Sequence, residues 1–600
     1  RSVDGGIVCQ YEKDPVEELG LLKMDFLALR NLTVIKDALD RIEENHGVKL
    51  NMSELDMSDP AVYELLSEGK TDGVFQLESA GMKSFMKQLK PKNLDEIIAG
   101  ISLYRPGPMD FIPKYLANRE HPESIVYDTP KLEKILKSTY GCMVYQEQVM
   151  QIVMELAGYS MGRSDLVRRA MAKKKADVMD KERQYFVYGN EELNVPGCVK
   201  NGIPESVANK IFDDMVDFAN YAFNKSHAAV YAVVAYQTAY LKIYYPVEYM
   251  AALISSVREN TEKMSSYIQT CKSLGIKILP PDINKGSGDF LVDGNAIRFG
   301  LSGLRSIGDG VTEVVHQEVV ANGPFTSLED FCTRLSGKEA NKRTIESFIL
   351  AGAFDSFGYN RHQMMMVYPA VLEQTAKEKK NAMSGQMSLM DFLGEEEKTE
   401  FQVRYPDVEE YPKDELLAKE KEILGIYVSG HPLEDDLDII EEYTTAKSTA
   451  FLADTEEDEN AGTEMEFEER ECVVDKSSYT IGGLLTEITK KTTRNGDEMA
   501  FLTVEDLYGS VEVVVFARDY RQNKDRFVKD AKVLIKGNAS VDERGGKLLT
   551  AVPQVEKETI VTPWIGESTM TRAYLKARYS YPLFSRSQRG YLYVWMRDAR

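Results

Sequence analysis

The chain has 600 residues, 43% of them apolar, and a formal net charge of −23. Its length exceeds one hydrophobic core and fits about three to five domains, and its composition excludes a collagen, a coiled-coil rod and wholesale disorder. The charge argues against a nucleic-acid partner only as a sum: base is concentrated in Lys83–Lys92 and Arg163–Lys175, acid after Glu395 and above all in Asp454–Glu471.

The chain opens on Arg1 with no charged-then-apolar leader behind it, so it is expected to begin inside a longer protein. Leu19–Leu29, LGLLKMDFLAL, predicts a strand running into a turn, with the single carboxylate Asp25 among apolar residues. A buried carboxylate is costly unless it is paired or binds a cation, so Asp25 is a turn or cap group or a metal ligand. Phosphoryl-transfer sites need several carboxylates converging on Mg²⁺, which one Asp does not provide. From Asn31 the spacing of Leu32, Ile35, Leu39 and Ile42 predicts an amphipathic helix that stops at Gly47.

From about Leu55 to Val257 the pattern is mainly helical, broken at Pro91, Pro106–Pro108, Pro113, Pro130, Gly158 and Pro196–Gly202, which predicts one large, mostly α domain. Within it, Ser102–Asp110 (SLYRPGPMD) is a rigid turn whose prolines order Tyr104 and Arg105, either for a phosphate or base contact or as an inter-helix connector. Gly162–Lys175 (GRSDLVRRAMAKKK) predicts a helix capped by Ser164, with Arg168, Ala172 and Lys175 on one face and Arg169 and Lys173 beside it. Cations without matching acids repel unless anions join them, so this is a triphosphate or DNA-backbone site, or else a solvated basic helix. Phe223–Tyr231 (FNKSHAAVY) sets Asn224, Lys225, Ser226 and His227 at a helix N-terminus, a natural anion site or a plain cap. The helix behind it, Ala228–Tyr240, is the most apolar run, yet it contains Gln237 and falls short of the ~18–20 apolar residues that span a membrane, so it reads as buried.

Residues 258–295 predict a helix and a connector around Pro280 and Pro281. Residues 297–357 predict short helices separated by Gly turns. There, Gly300–Gly310 (GLSGLRSIGDG) matches a helix-hairpin-helix in which Gly308 and Gly310 let backbone N–H groups face a DNA phosphate, with Arg305 beside them. A polar, Met-rich stretch over Glu373–Gly394 carries GQMSLMDFL, Gly385–Leu393, either a motif that inserts into a partner's pocket or a small helix on its own domain. A helical segment to about Tyr443 and an acidic linker to Glu471 follow. Tyr479–Lys490, Met499–Glu505, Ser510–Phe516, Ala531–Val541 and Lys547–Val555 then predict five strands of an OB-type barrel, and 557–600 a last small unit. Cys9, Cys142, Cys198, Cys271, Cys332 and Cys472 are dispersed without a CxxC pair, which predicts free thiols in a reducing compartment and no zinc site.

The strings GLLKMDFLALRNLTVI, DGVFQLES, LYRPGPM, VYQEQVM, LVRRAMAKKK and FNKSHAAVYA, in this order, resemble the α subunit of bacterial DNA polymerase III, the C-family replicative polymerases. The resemblance covers nearly the whole chain and is strongest over residues 19–257. It implies a multidomain α+β protein: the end of the palm (1–30), mostly α-helical fingers (31–295), a tandem helix-hairpin-helix (296–360), a clamp-binding region (361–445), an acidic linker (446–475), a five-stranded OB-type β-barrel (476–556) and a small C-terminal α/β unit (557–600). It implies cytoplasmic, DNA-directed DNA synthesis, in which a primer 3′-hydroxyl attacks the α-phosphorus of a deoxynucleoside triphosphate with two Mg²⁺ held by three carboxylates.

Residue by residue, Asp25 falls on the third metal-binding aspartate. The family's Asp-x-Asp pair is expected upstream of Arg1, and Asp436-Leu437-Asp438 is no substitute, so this chain alone is expected to be inactive. Arg168, Arg169, Lys173 and Lys174 fall on the element that grips the triphosphate, and Arg105, Asn224, Lys225 and His227 on neighbouring active-site motifs. Gln386, Leu389, Met390 and Phe392 match the motif that binds the sliding clamp, the β subunit. The OB unit is expected near single-stranded template. The tail resembles the part that docks the clamp-loader τ subunit, and the proofreading exonuclease subunit would dock upstream. Ala28 stands where the family commonly has Gly. The rival reading is a non-catalytic DNA-holding module built on the helix-hairpin-helix and OB units, which has no need of a triphosphate grip.

Overall fold

The computed structural model describes residues 9–11, 13–21, 29–172, 176–219, 222–335, 339–383, 403–451, 477–492, 496–517, 520–521, 524, 527–539, 571–573, 577–578 and 594–598. The strand expected over Leu19–Leu29 is not borne out at its start: a helix covers Lys13–Glu18 and Leu19–Gly20 form a turn, with 22–28 outside the described residues. The next helix, Arg30–His46, ends where expected, at Gly47 in the left-handed region (φ 66), whose N–H returns to the Glu43 carbonyl. Its inward face differs from the expected one. Val34, Ile35, Ala38 and Ile42 are buried, while Leu32 is 53% exposed, because the face is chosen by the helix Pro246–Ser255 packed against it.

At the centre lies the helix Lys225–Tyr244. Ala228, Ala232, Ala235 and Ala239 form a buried row of small side chains along it, so the helix Leu94–Leu103, whose residues from Glu96 onward are all buried, approaches closely. Gly100 on that second helix is needed for the same reason: a Cβ there would meet Leu89 and Met86 at 3.1 Å. A separate core gathers the helices Pro130–Leu136, Gln146–Ala157, Met161–Ala172, Ala176–Tyr188 and Glu205–Ala219. The two cores meet where Val144 and Tyr145 run beside Phe223, through Gln146 N–H to Phe223 O (2.8 Å) and Phe223 N–H to Val144 O (3.1 Å).

Beyond the helix Thr261–Ser273 the expected connector contains strands too short for period-two patterning to register. β1 (Lys277–Leu279), β2 (Leu291–Asp293) and β3 (Ala296–Arg298) form a sheet in the order β1-β3-β2. The helices Asp309–Asn322, Leu328–Arg334 and Lys342–Ala351 share a core rich in phenylalanine, including Phe325, Phe331, Phe348 and Phe354. A helix then runs over Arg361–Met383, through Pro369 and into the polar Met-rich stretch. Arg361 is buried and ion-paired with Asp355 (2.8 Å) and the buried Glu420 (3.5 Å), which ties this helix to the one at Lys413–Leu424.

The β region contains β4 (Ser478–Thr492), β5 (Glu498–Glu505), β6 (Ser510–Val515), β7 (Lys532–Asn538), β8 (Thr571–Ala573), β9 (Ala577–Arg578) and β10 (Val594–Asp598). β4 to β7 fall at four of the five expected strands, and 547–555 lies outside the described residues. The expected barrel is corrected: the order is β8-β10-β7-β4-β5-β6-β9, and closure requires the two edges to pair, whereas among the described residues β8 and β9 lie at opposite edges. The described parts of 557–600 are strands of this same sheet. Lys421 to Glu505 (2.7 Å) and Lys532 to Asp436 (2.7 Å) fasten the sheet to the helices before it. Cys9, Cys142, Cys198, Cys271 and Cys332 are free thiols, and Cys472 lies outside the described residues.

Candidate functional site

The site forms where the two helical cores meet, at the start of the helix Gln146–Ala157. Its third residue, the buried Gln148, folds back so that its side-chain oxygen accepts from the N–H groups of Val144 (2.8 Å) and Tyr145 (3.0 Å), while its amide donates to Thr139 Oγ1 (2.7 Å). This satisfies orphan donors at the helix entrance and fixes the direction in which Gln146 and Glu147 leave it.

Both residues face the turn that begins the central helix. Asn224 caps that helix by accepting from His227 N–H (2.8 Å). Glu147 receives Asn224 Nδ2 (3.1 Å) on one oxygen and Lys225 N–H (2.9 Å) on the other. The Lys225 ammonium lies 3.7 Å from Asp95 and 5.3 Å from the Tyr145 ring centre. Phe223, immediately before, carries the Arg105 guanidinium 4.0 Å above its ring. Its ring meets His227 edge-on at 5.5 Å, and the exposed His227 lies 4.2 Å from Tyr231. On the other side Gln146 accepts from Arg168 Nη1 (2.9 Å) and donates from Nε2 to Ala222 O (3.0 Å). Arg168 and Arg169 are both paired with Asp165, each at 2.7 Å, and these guanidiniums hold the Asp165 carboxyl below the usual carboxylate range. Arg105, Arg168, Asn224, Lys225 and His227 are thus brought into one contiguous patch, with Arg169 attached through Asp165.

The Gly-rich turn is built differently. Gly308 is the extended N-cap of the helix Asp309–Asn322, and a Cβ added at Gly308 or Gly310 would meet nothing within 4 Å. Asp309 is drawn aside to Arg258 (2.7 Å). Arg305 is exposed, but its side chain donates to Glu422 O (3.1 Å) and its backbone N–H to Ile423 O (2.9 Å).

A family model described as the bacterial DNA polymerase III alpha subunit finger domain matches residues 31–194. A helix-hairpin-helix motif matches 275–364, and an OB-fold nucleic acid binding domain matches 479–562. The chain is 42% identical over 564 residues to the DNA polymerase III subunit alpha of Thermus aquaticus, covering 93% of this chain and 43% of that protein. It is 39% identical over 519 residues to that of Bacillus subtilis, covering 86% and 43%, and 37% identical over 555 residues to that of Mycobacterium tuberculosis, covering 91% and 45%. This chain belongs to the DNA polymerase III α-subunit family. It spans less than half the length of these relatives.

Within this α-subunit chain the finger-domain match takes in Arg105, Gln146, Glu147, Arg168 and Arg169, and the helix-hairpin-helix match takes in Arg305, Gly308 and Gly310. Asp25, Lys173, Lys174, Gln386, Leu389, Met390 and Phe392 lie outside the described residues. Three local expectations are corrected. Ser164 is not a cap: the helix starts at Met161, and Ser164 is buried inside it, its hydroxyl donating to Met161 O (2.6 Å). The cations of that helix are not without acids, because Asp165 takes Arg168 and Arg169 and Glu182 takes Arg163. At the N-terminus of the central helix the Lys225 N–H and the Asn224 amide are taken by Glu147 rather than left for an outside anion. Sequence reasoning gave no site role to Gln146, Glu147 or Asp165. The string VYQEQVM held the signal, a polar Gln-Glu-Gln at a helix start between apolar residues, but its partners lie far away in sequence. Among the described residues no group of three or more His, Cys, Asp or Glu could hold a metal, and no helix is long and apolar enough to cross a membrane.

Proposed function

We propose that this chain is the nucleotide-gripping and DNA-holding part of a replicative DNA polymerase, which extends a primer 3′-hydroxyl on a template. The observation that carries the reading is the convergence of Arg105, Arg168, Lys225 and His227 around Gln146 and Glu147. A site dense in cations and ordered by its own acids is suited to a triphosphate, whose growing charge it neutralises as pyrophosphate leaves. Arg169, Lys173 and Lys174 extend the same grip. The turn at Gly308 and Gly310, with Arg305, holds duplex DNA by its backbone, and the OB sheet lies near single-stranded template. Gln386, Leu389, Met390 and Phe392 bind the sliding clamp. The tail docks the clamp-loader τ subunit, the exonuclease subunit docks on the upstream part, and the whole works in the cytoplasm.

In the whole protein, Mg²⁺ would supply Lewis-acid stabilisation of the entering and leaving oxygens, with Asp25 as one ligand. The acids among the described residues do not assemble a second and third ligand.

The test is a titration of this chain with a fluorescent deoxynucleoside triphosphate and, separately, with primed duplex DNA. Arg168→Ala is expected to weaken nucleotide binding roughly tenfold, the effect of losing one charge-assisted contact, and to leave DNA affinity within about twofold. Equal losses in both would mean that the helix serves the DNA backbone and would favour a non-catalytic DNA-holding module.

A further inference from the structure

We infer that Gln146 is a positioning residue for the triphosphate grip, one that sets Arg168 in register with the Phe223–His227 turn. This rests on the reading of Arg168 as a triphosphate contact. Arg168 has five N–H donors. Nε and Nη2 donate to Asp165 Oδ1 (3.1 and 2.7 Å) and Nη1 to Gln146 Oε1 (2.9 Å), so three are committed and two are left to point toward a ligand. Asp165 lies on the same helix as Arg168, one turn away, and so fixes the guanidinium only relative to its own backbone. Gln146 is the residue that ties it to the other half of the site.

Gln146 is held at three points. Its N–H donates to Phe223 O (2.8 Å), its Nε2 to Ala222 O (3.0 Å), and its Oε1 accepts from Arg168. The two carbonyls belong to the segment whose next residues are Asn224, Lys225 and His227, and whose Phe223 ring carries Arg105. Moving Arg168 away from the turn therefore requires breaking an amide that is already oriented from the opposite side. The amide is also neutral. It orders the guanidinium while cancelling none of its charge, whereas a second carboxylate beside Asp165 would compete with the triphosphate.

The experiment is a double-mutant cycle in the full 600-residue chain with the same fluorescent deoxynucleoside triphosphate. Gln146→Ala is expected to weaken binding roughly fivefold, and the double variant with Arg168→Ala to bind no worse than Arg168→Ala alone, because the glutamine acts through the arginine. Gln146→Met, which keeps the side-chain volume, is expected to reproduce the loss without lowering the melting temperature. Affinity for primed duplex should not move. The inference is overturned if the two losses add, if neither glutamine variant weakens binding, or if the loss in both tracks a fall in melting temperature. If Arg168→Ala itself leaves nucleotide binding unchanged, the underlying reading of the site fails first.

Discussion

Two helices in this protein, Lys225–Tyr244 and Asp309–Asn322, begin with sequences that offer backbone N–H groups to an anion, and the fold treats them in opposite ways. At the first, the chain supplies its own anion: Glu147 receives both Lys225 N–H and the Asn224 side chain. At the second, the local acid Asp309 is taken by Arg258, and a Cβ on Gly308 or Gly310 would stand more than 4 Å from any other packed segment among the described residues. A helix N-terminus is a fixed partial positive charge in either case. What differs is whether the fold has already spent it on internal order or left it available to a ligand's backbone phosphate.

The largest expected effect belongs to neither terminus and sets the conditions under which they are compared. His431 is buried, its Nδ1 accepts from Leu433 N–H (3.1 Å), and Lys272, Lys421 and Lys532 face it. Burial first, then these lysines, push its pKa down from 6.5 to about 4. Between these values the unfolded chain takes up a proton that the folded chain refuses, so stability falls as pH falls through that window, by about 3 kcal/mol in all. Denaturant unfolding at pH 7 and pH 4.5, with and without His431→Asn, checks this; an equal acid sensitivity in the variant would assign it elsewhere. Binding comparisons of the two termini therefore belong above pH 6.5.

Next in size, Glu147→Ala removes the internal anion and leaves Lys225 N–H and the Asn224 amide to find water. It is expected to cost about 2 kcal/mol of stability and to weaken nucleotide binding as well, because the turn loses its anchor. Unchanged stability would mean that the first terminus is as open as the second. The smallest effect on the fold belongs to Gly308→Ala and Gly310→Ala. Neither position has a positive φ and both have room, so stability should rise slightly at Gly310, inside the helix, and fall slightly at the Gly308 cap, where alanine is a poor N-cap, by about 0.5 kcal/mol in each case, while duplex affinity falls in both because a methyl group keeps phosphate from the backbone. Circular dichroism melts beside filter binding would show it, and undiminished affinity would move the DNA contact off this turn.

The central helix was legible from its apolar run and the Asn224 cap, the Arg30–His46 helix from its periodicity and Gly47, and four strands of the OB region from β-branched runs between turns. The cationic helix was legible as a helix, but its start was misplaced at Ser164, because a serine three residues inside a helix satisfies its hydroxyl on the preceding turn as readily as it caps. The strands at Lys277–Leu279, Leu291–Asp293 and Ala296–Arg298 were not legible, since three residues carry no period.

By itself, then, the sequence determined the long helices and four strands of the OB region, which turns hold glycine or proline, and, through its ordered strings, the polymerase family. Those properties depend on contacts within a few residues. The tertiary structure alone decided that Glu147 would face Asn224 across 77 residues, and that Gln146 would join Arg168 to Ala222, with separations of 22 and 76 residues. A polar group's partner is chosen by which atoms are buried together when two cores meet, and nothing in the local spacing of either residue carries that information.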